Sequence, residues 1–121
     1  MISSKPGKNR KNAFTAPMHK KSKTIAGHLG ERLRKEIGIR SIPLRKNDVV
    51  KIIRGTFKGK EGKIIRIDRK NKKIFIEKIV RKKSDGTEFE IAIDPSKIIV
   101  RDLDKTDKKR LKNKKNKSVK K

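Results

Sequence analysis

A mainly β fold, a small SH3-like barrel preceded by short N-terminal helices and flanked by basic, extended termini, is what this sequence predicts. Three observations predict it. Most of the isoleucine and valine lies in residues 45–100, in five short runs set apart by turn-forming residues. Several runs are apolar on both faces, as at Val49, Val50, Ile52 and Ile53, which suits a closed sheet covered by other segments better than an open, one-faced one. The flanks are almost purely basic: residues 1–24 carry seven Lys and Arg, residues 108–121 carry nine, and neither holds an acid.

The elements follow in chain order. Residues 1–44 form a basic arm. Pro17 suits a first helical position with Thr15 as a capping candidate, so Met18 to Ala26 is expected to be a helix ending at Gly27. A second helix is expected from Leu29 to Ile37, where Leu29, Leu33 and Ile37 recur every four residues, with Gly38 as its C-terminal cap. Gly27 and Gly30 weaken this region, so its order should depend on packing or on a partner. The barrel spans residues 45–100, its strands being DVVKIIR, GKIIRID, KKIFIEKIV, TEFEIAI and SKIIVRD. They are linked by GTFKGKE, by a polar turn around Asn71, by Ser84-Asp85-Gly86 and by Asp94-Pro95. Residues 101–121 are a basic tail, and LKNKKNKSVKK within it cannot bury enough apolar surface to offset the entropy of ordering; disorder is expected without a partner.

Charge bounds the function. With 39 Lys and Arg against 13 Asp and Glu, the 121-residue chain has a net charge of +26, which implies a polyanionic partner, nucleic acid before all others. Membrane insertion is not expected, since there is no apolar run of about 18 residues and no strong basic amphipathic helix. The N-terminus lacks the apolar stretch of a secretory signal and there is no cysteine, so a cytoplasmic location is expected.

One stretch concentrates the question. GTFKGKEGK, Gly55 to Lys63, sets three glycines and three lysines against the single acid Glu61, between two of the most apolar runs. Glycine allows positive φ and close backbone approach while lysine reaches outward, a combination suited to a phosphate backbone. It is not a nucleotide-binding P-loop, because no Gly-Lys-Ser/Thr and no helix follow it. The longer segment NDVVKIIRGTFKGKEGKII, Asn47 to Ile65, closely resembles the KOW motif: an Asp, alternating aliphatics, a Gly, a Lys-Gly pair, then Gly-x-aliphatic. With KNAFTAPMHKK, ERLRKEIGIRSIPLRKND, RKKSDGTE and DPSKIIV around it, the chain resembles, over roughly residues 10 to 107, the KOW-containing large-subunit ribosomal protein family, universal protein twenty-four, in its longer archaeal and eukaryotic form. That resemblance implies an SH3-like barrel that binds large-subunit ribosomal RNA, joins early in assembly, and lies near the exit of the nascent-chain tunnel. Its partners would be that RNA, neighbouring ribosomal proteins and nascent-chain factors at the tunnel exit, with the protein a monomer within the particle. The sequence departs from the family pattern at Asn47, where glycine is common, and at Asp94, where a histidine often precedes the proline.

The residues expected to contact RNA are Arg10, Lys11, His19, Lys20, Lys21 and Lys23 in the arm, Arg40 and Arg45 where the chain enters the barrel, Arg54, Lys58, Gly59, Lys60 and Lys63 around the KOW loop, and Arg81, Lys82 and Lys83 by the hairpin. No metal or cofactor is expected: His19 and His28 have no cysteine or well-spaced carboxylate to join them. Nor is catalysis, because Asp85 and Asp94 sit at turns, where Asp serves local backbone hydrogen bonds. Phe75 and Phe89 are expected in the core, while Phe57 could either stack on a base or tuck under its loop. With four aromatics in all, binding should rest on phosphate contacts and RNA shape rather than on a stacking platform. Two rivals stand apart. A KOW-containing transcription elongation factor would need a mixed α/β domain where only 44 short, basic residues precede Arg45, and a histone-like condensing protein would explain the charge but not the KOW loop.

Overall fold

A computed structural model describes residues 3–111. Three helices, α1 (Pro6–Thr15), α2 (Met18–Thr24) and α3 (Glu31–Ile37), accompany seven strands: β1 (Ala26–Leu29), β2 (Ser41–Pro43), β3 (Val49–Ile52), β4 (Glu61–Asp68), β5 (Lys73–Lys82), β6 (Glu88–Ile93) and β7 (Ile98–Asp102). The strands make one sheet in the order β2-β1-β7-β3-β4-β5-β6. All neighbours are antiparallel except β1 and β7, which run parallel with His28 opposite Ile99. The five expected strands are therefore present and the fold is mainly β. The strand pairing does not close the sheet, so the expected barrel closure is not confirmed: β2 and β6 remain as its two edges.

Isoleucine and valine build the core because branched side chains pack well on a pleated surface. Leu29, Ile42, Val50, Ile52, Ile64, Ile74, Ile76, Ile79, Ile98 and Val100 are almost completely buried. Two turns shape the central hairpins. Between β4 and β5, Asp68 Oδ1 accepts from the backbone N–H of Lys70 and Asn71 at 3.0 and 3.2 Å. Between β5 and β6, Asp85 Oδ1 accepts from Thr87 N and Oγ1 at 3.0 and 2.7 Å, as expected of an Asp at a turn. Bulges interrupt β4 at Ile64/Arg66 and β5 between Phe75 and Val80, where Lys78 takes a φ of 65°.

The N-terminal region departs from expectation. The helix expected to reach Ala26 stops at Thr24, and the one expected from Leu29 begins at Glu31, because residues 26–29 are instead β1. Close packing accounts for this: a Cβ on Gly27 would lie 2.9 Å from Leu44 Cδ2 and 3.3 Å from Val100 Cγ2. Gly27 thus admits its neighbours to the strand rather than loosening a helix. Gly38 caps α3 in the left-handed region, as expected. The helix α1 was not foreseen. It buries nothing and is held locally, Asn9 bonding both the N–H and the C=O of Ser3 at 3.1 and 2.7 Å. Nor do both aromatic expectations survive. Phe75 is only half-buried, with the Arg66 guanidinium 4.2 Å from its ring centroid, and Phe89 is 40% exposed on the edge strand. The expected disorder of LKNKKNKSVKK lies, apart from Leu111, outside the described residues.

Candidate nucleic-acid interface

The KOW loop runs from Ile53 to Lys60 between β3 and β4 and is tied shut by its backbone. Ile52 N donates to Lys60 O at 2.9 Å, Gly59 N to Ile52 O at 2.8 Å, and Lys60 N to Phe57 O at 3.1 Å. Gly59 takes a φ of 89°, and a Cβ there would meet nothing within 4 Å. Glycine is therefore favoured here by backbone conformation, and the main chain above it stays bare to solvent. Phe57 tucks against the core, half-buried, with Lys60 Nζ 5.1 Å from its ring centroid. Of the two roles open to Phe57, this is the structural one.

Around that loop Arg54, Lys58, Lys60 and Lys63 are exposed, and among the described residues none forms an ion pair. The one acid of residues 55–63 is drawn away. Glu61 Oε1 lies 3.9 Å from Lys51 Nζ and 3.5 Å from Arg101 Nε, which leaves the loop lysines unneutralised. Beside the loop a cavity of about 180 Å³ joins Arg54 to Lys97 over an apolar floor that includes Phe57 and Ile91. Asp94 would repel phosphate if free, but Lys73 and Lys97 flank it. The hydrogen bond from Lys73 is the main cause that holds its carboxyl below its ordinary value. Asp94 thus serves an ion pair, not the local backbone bond expected of it.

The remaining candidates fall into separate groups. Arg10 and Lys11 are exposed on α1, and His19, Lys20 and Lys23 on α2, where Lys21 is half-buried. Arg40 is exposed just before β2. Arg45 pairs with Asp107 at 2.7 Å and lines a groove of about 490 Å³ with Lys46, Arg69 and the end of α2. Arg81, Lys82 and Lys83 stand exposed past the β5 bulge, Lys82 opposite Glu88 and Lys83 Nζ 5.6 Å from the Phe89 ring centroid. Sequence reasoning missed Lys46, Arg69 and Lys97; Arg69 sits in a segment that read only as a connection, and Lys97 in one that read only as a strand. Among the described residues no group of three His, Cys, Asp or Glu could hold a metal ion.

The largest omission is Arg110, which reads as part of the tail but is only 8% exposed. Its fork grips Asp48, itself fully buried: Nη1 donates to Oδ1 at 2.9 Å and Nη2 bonds Oδ2. Residues 108–111 form a helical turn here, begun by Asp107 Oδ1 accepting from Lys109 N at 3.0 Å.

Comparison with known proteins bears on most of the chain. The model of a family described as the L26 ribosomal proteins of eukaryotes and the L24 ribosomal proteins of archaea matches residues 3–117. A large ribosomal subunit protein uL24 from Korarchaeum cryptofilum (strain OPF8) is 46% identical over 101 residues, which cover 84% of this chain and 77% of the relative. One of the same name from Sulfolobus acidocaldarius is 43% identical over 111 residues, or 92% and 83% of the two chains.

Proposed function

Because the chain belongs to the family of eukaryotic L26 and archaeal L24 ribosomal proteins, structural constituents of the large ribosomal subunit in the cytoplasm, we propose that it binds large-subunit ribosomal RNA through its KOW loop and basic extensions. The role is structural and not enzymatic. The observation that carries the binding reading is the fixed loop with Arg54, Lys58, Lys60 and Lys63 exposed and the only acid of residues 55–63 engaged elsewhere. Such lysines position a protein on phosphate without reading bases. The groove around Arg45, Lys46 and Arg69 offers a second basic surface, and the arm a third. Family membership extends the proposal to early assembly, to a place near the nascent-chain tunnel exit, and to contacts with neighbouring ribosomal proteins and with factors that act there.

The test replaces Lys58, Lys60 and Lys63 by Ala and, as a control, Lys115, Lys117 and Lys120. Exposed lysines contribute within about 0.5 kcal/mol each to stability, so thermal unfolding should be nearly unchanged. Losing three phosphate contacts removes about 2 to 3 from the slope of log K against log salt and weakens binding roughly 100-fold at 0.15 M salt. Binding to a large-subunit RNA fragment is the measurement, with sedimentation alongside ribosomal subunits at high salt as a companion. Equal losses in the loop and control variants would reduce the loop to one more source of charge.

A further inference from the structure

We infer that Asp48, inside the KOW signature, is a socket that docks the C-terminal basic segment, and that Arg110 is a positioning residue for RNA binding although it touches no RNA. The inference rests on the RNA-binding reading above. Asp48 joins three separate stretches of chain: Oδ1 accepts from Asp104 N at 3.0 Å and Arg110 Nη1 at 2.9 Å, while Oδ2 accepts from Arg45 N at 3.0 Å and from Arg110 Nη2. Both side chains are enclosed, at 0% and 2% exposure. Of the nine basic residues in 108–121, Arg110 is thus withdrawn from any RNA surface, its charge met by a carboxylate. Around it the docking is reinforced: Leu103 is buried, Leu111 packs on the core, and Asp107 bonds both Arg45 and Lys109.

A buried ion pair is a poor source of net stability, because desolvation cancels much of its attraction. Arg110 Nε, buried and without a partner among the described residues, adds to that cost. What a bidentate fork does supply is a fixed position. It sets Leu111 against the core, and so the point at which residues 112–121, with six lysines, are attached to the folded chain. Without the fork the last anchored residue would be Leu103 rather than Leu111, placing eight more residues between the folded chain and Lys112. A basic segment joined through a longer linker has a lower effective concentration at a fixed RNA surface. Residues 104–111 would also have to be ordered anew on binding, which lowers affinity further.

The experiment is a cycle on the full-length protein. Arg110→Met is made in the natural chain and in one where Lys112, Lys114, Lys115, Lys117, Lys120 and Lys121 are all Gln. Binding to a large-subunit RNA fragment is measured at about 0.15 M salt beside thermal unfolding. In the natural chain the substitution should weaken binding at least about three-fold, and in the Gln background by less than about two-fold, because tether length then has no charge to place. A merely structural role would lower affinity equally in both. Asp48→Asn/Arg110→Met leaves no charge buried alone and gives the reading if Arg110→Met melts below the assay temperature. Equal losses in the two backgrounds, or none in the natural chain, would overturn the docking role while leaving RNA binding intact. Failure of the natural chain itself to bind would overturn the functional reading and this inference with it.

Discussion

Raising the salt concentration from about 50 to about 200 mM should weaken binding to a large-subunit RNA fragment by roughly four to six orders of magnitude. The reasoning starts from the charge, +26 on 121 residues, and from its exposure on the arm, the loop and the hairpin. If about eight to twelve phosphates are neutralised, at 0.7 to 0.9 released counterions each, log K against log salt has a slope of about −6 to −10. Ion pairs do not exhaust the supply: Arg45 is engaged by Asp107, but among the described residues Arg54, Lys58, Lys60 and Lys63 pair with no acid. Filter binding or fluorescence anisotropy across a salt series gives the slope directly. A value shallower than about −2 would mean that the surface charge serves some purpose other than holding phosphate.

Gly62→Val should be more damaging than Gly59→Val, although Gly62 lies outside every expected contact. Gly62 opposes Val50 in the β3–β4 ladder, and a Cβ there would lie 2.8 Å from both the Glu77 carbonyl oxygen and Ile76 Cγ2. Neither can give way cheaply: one is main chain and the other belongs to a residue that is 1% exposed. Overpacking of this kind costs about 1–3 kcal/mol and sometimes more, and a branched side chain against backbone belongs at the upper end, near 3 kcal/mol. For a domain of this size that corresponds to a fall of about 12–24 °C in melting temperature. Gly59→Val makes the contrast. Its φ of 89° imposes strain but its surroundings are open, so a cost of about 1–3 kcal/mol is expected from backbone conformation alone. Thermal unfolding followed by circular dichroism distinguishes them, and a Gly62→Val protein melting within a few degrees of the natural one would refute the packing argument.

These glycines show how much was legible in the sequence. The KOW loop could be placed because Gly-Lys alternation between two isoleucine-rich runs is a local signal, and five strands could be read because each carries its own β-branched pattern. The strands β1 and β2 carry no such pattern. AGHL and SIP are extended because β7 and β1 pair with them and because Gly27 lets Leu44 and Val100 approach, which are facts of tertiary structure. Phe89 reads as core from its alternation, yet β6 is an edge and the hairpin extends past the residues that could cover it. Least legible was the grip of Arg110 on Asp48, 62 residues apart: one looked like part of a solvated lysine tract and the other like part of a KOW signature. Charge-pair partners at such separation leave no trace in local composition.

The open sheet has a consequence for the protein before it joins the ribosomal subunit. An unpaired strand invites the same strand of another copy, and a chain made in excess of the ribosomal subunits it joins would be exposed to that hazard. Each edge resists it in its own way. The β2 edge is three residues long and ends on Pro43, which has no N–H to offer a ladder. The β6 edge carries Glu88 and Glu90 on one face, so antiparallel self-pairing centred on Phe89 would set Glu88 of one copy opposite Glu90 of the other, and like charges so placed repel. Four acids and no base lie between Lys83 and Lys97, so in a chain otherwise dominated by lysine this scarce negative charge falls along the longer of the two edges by which unassembled copies could polymerise.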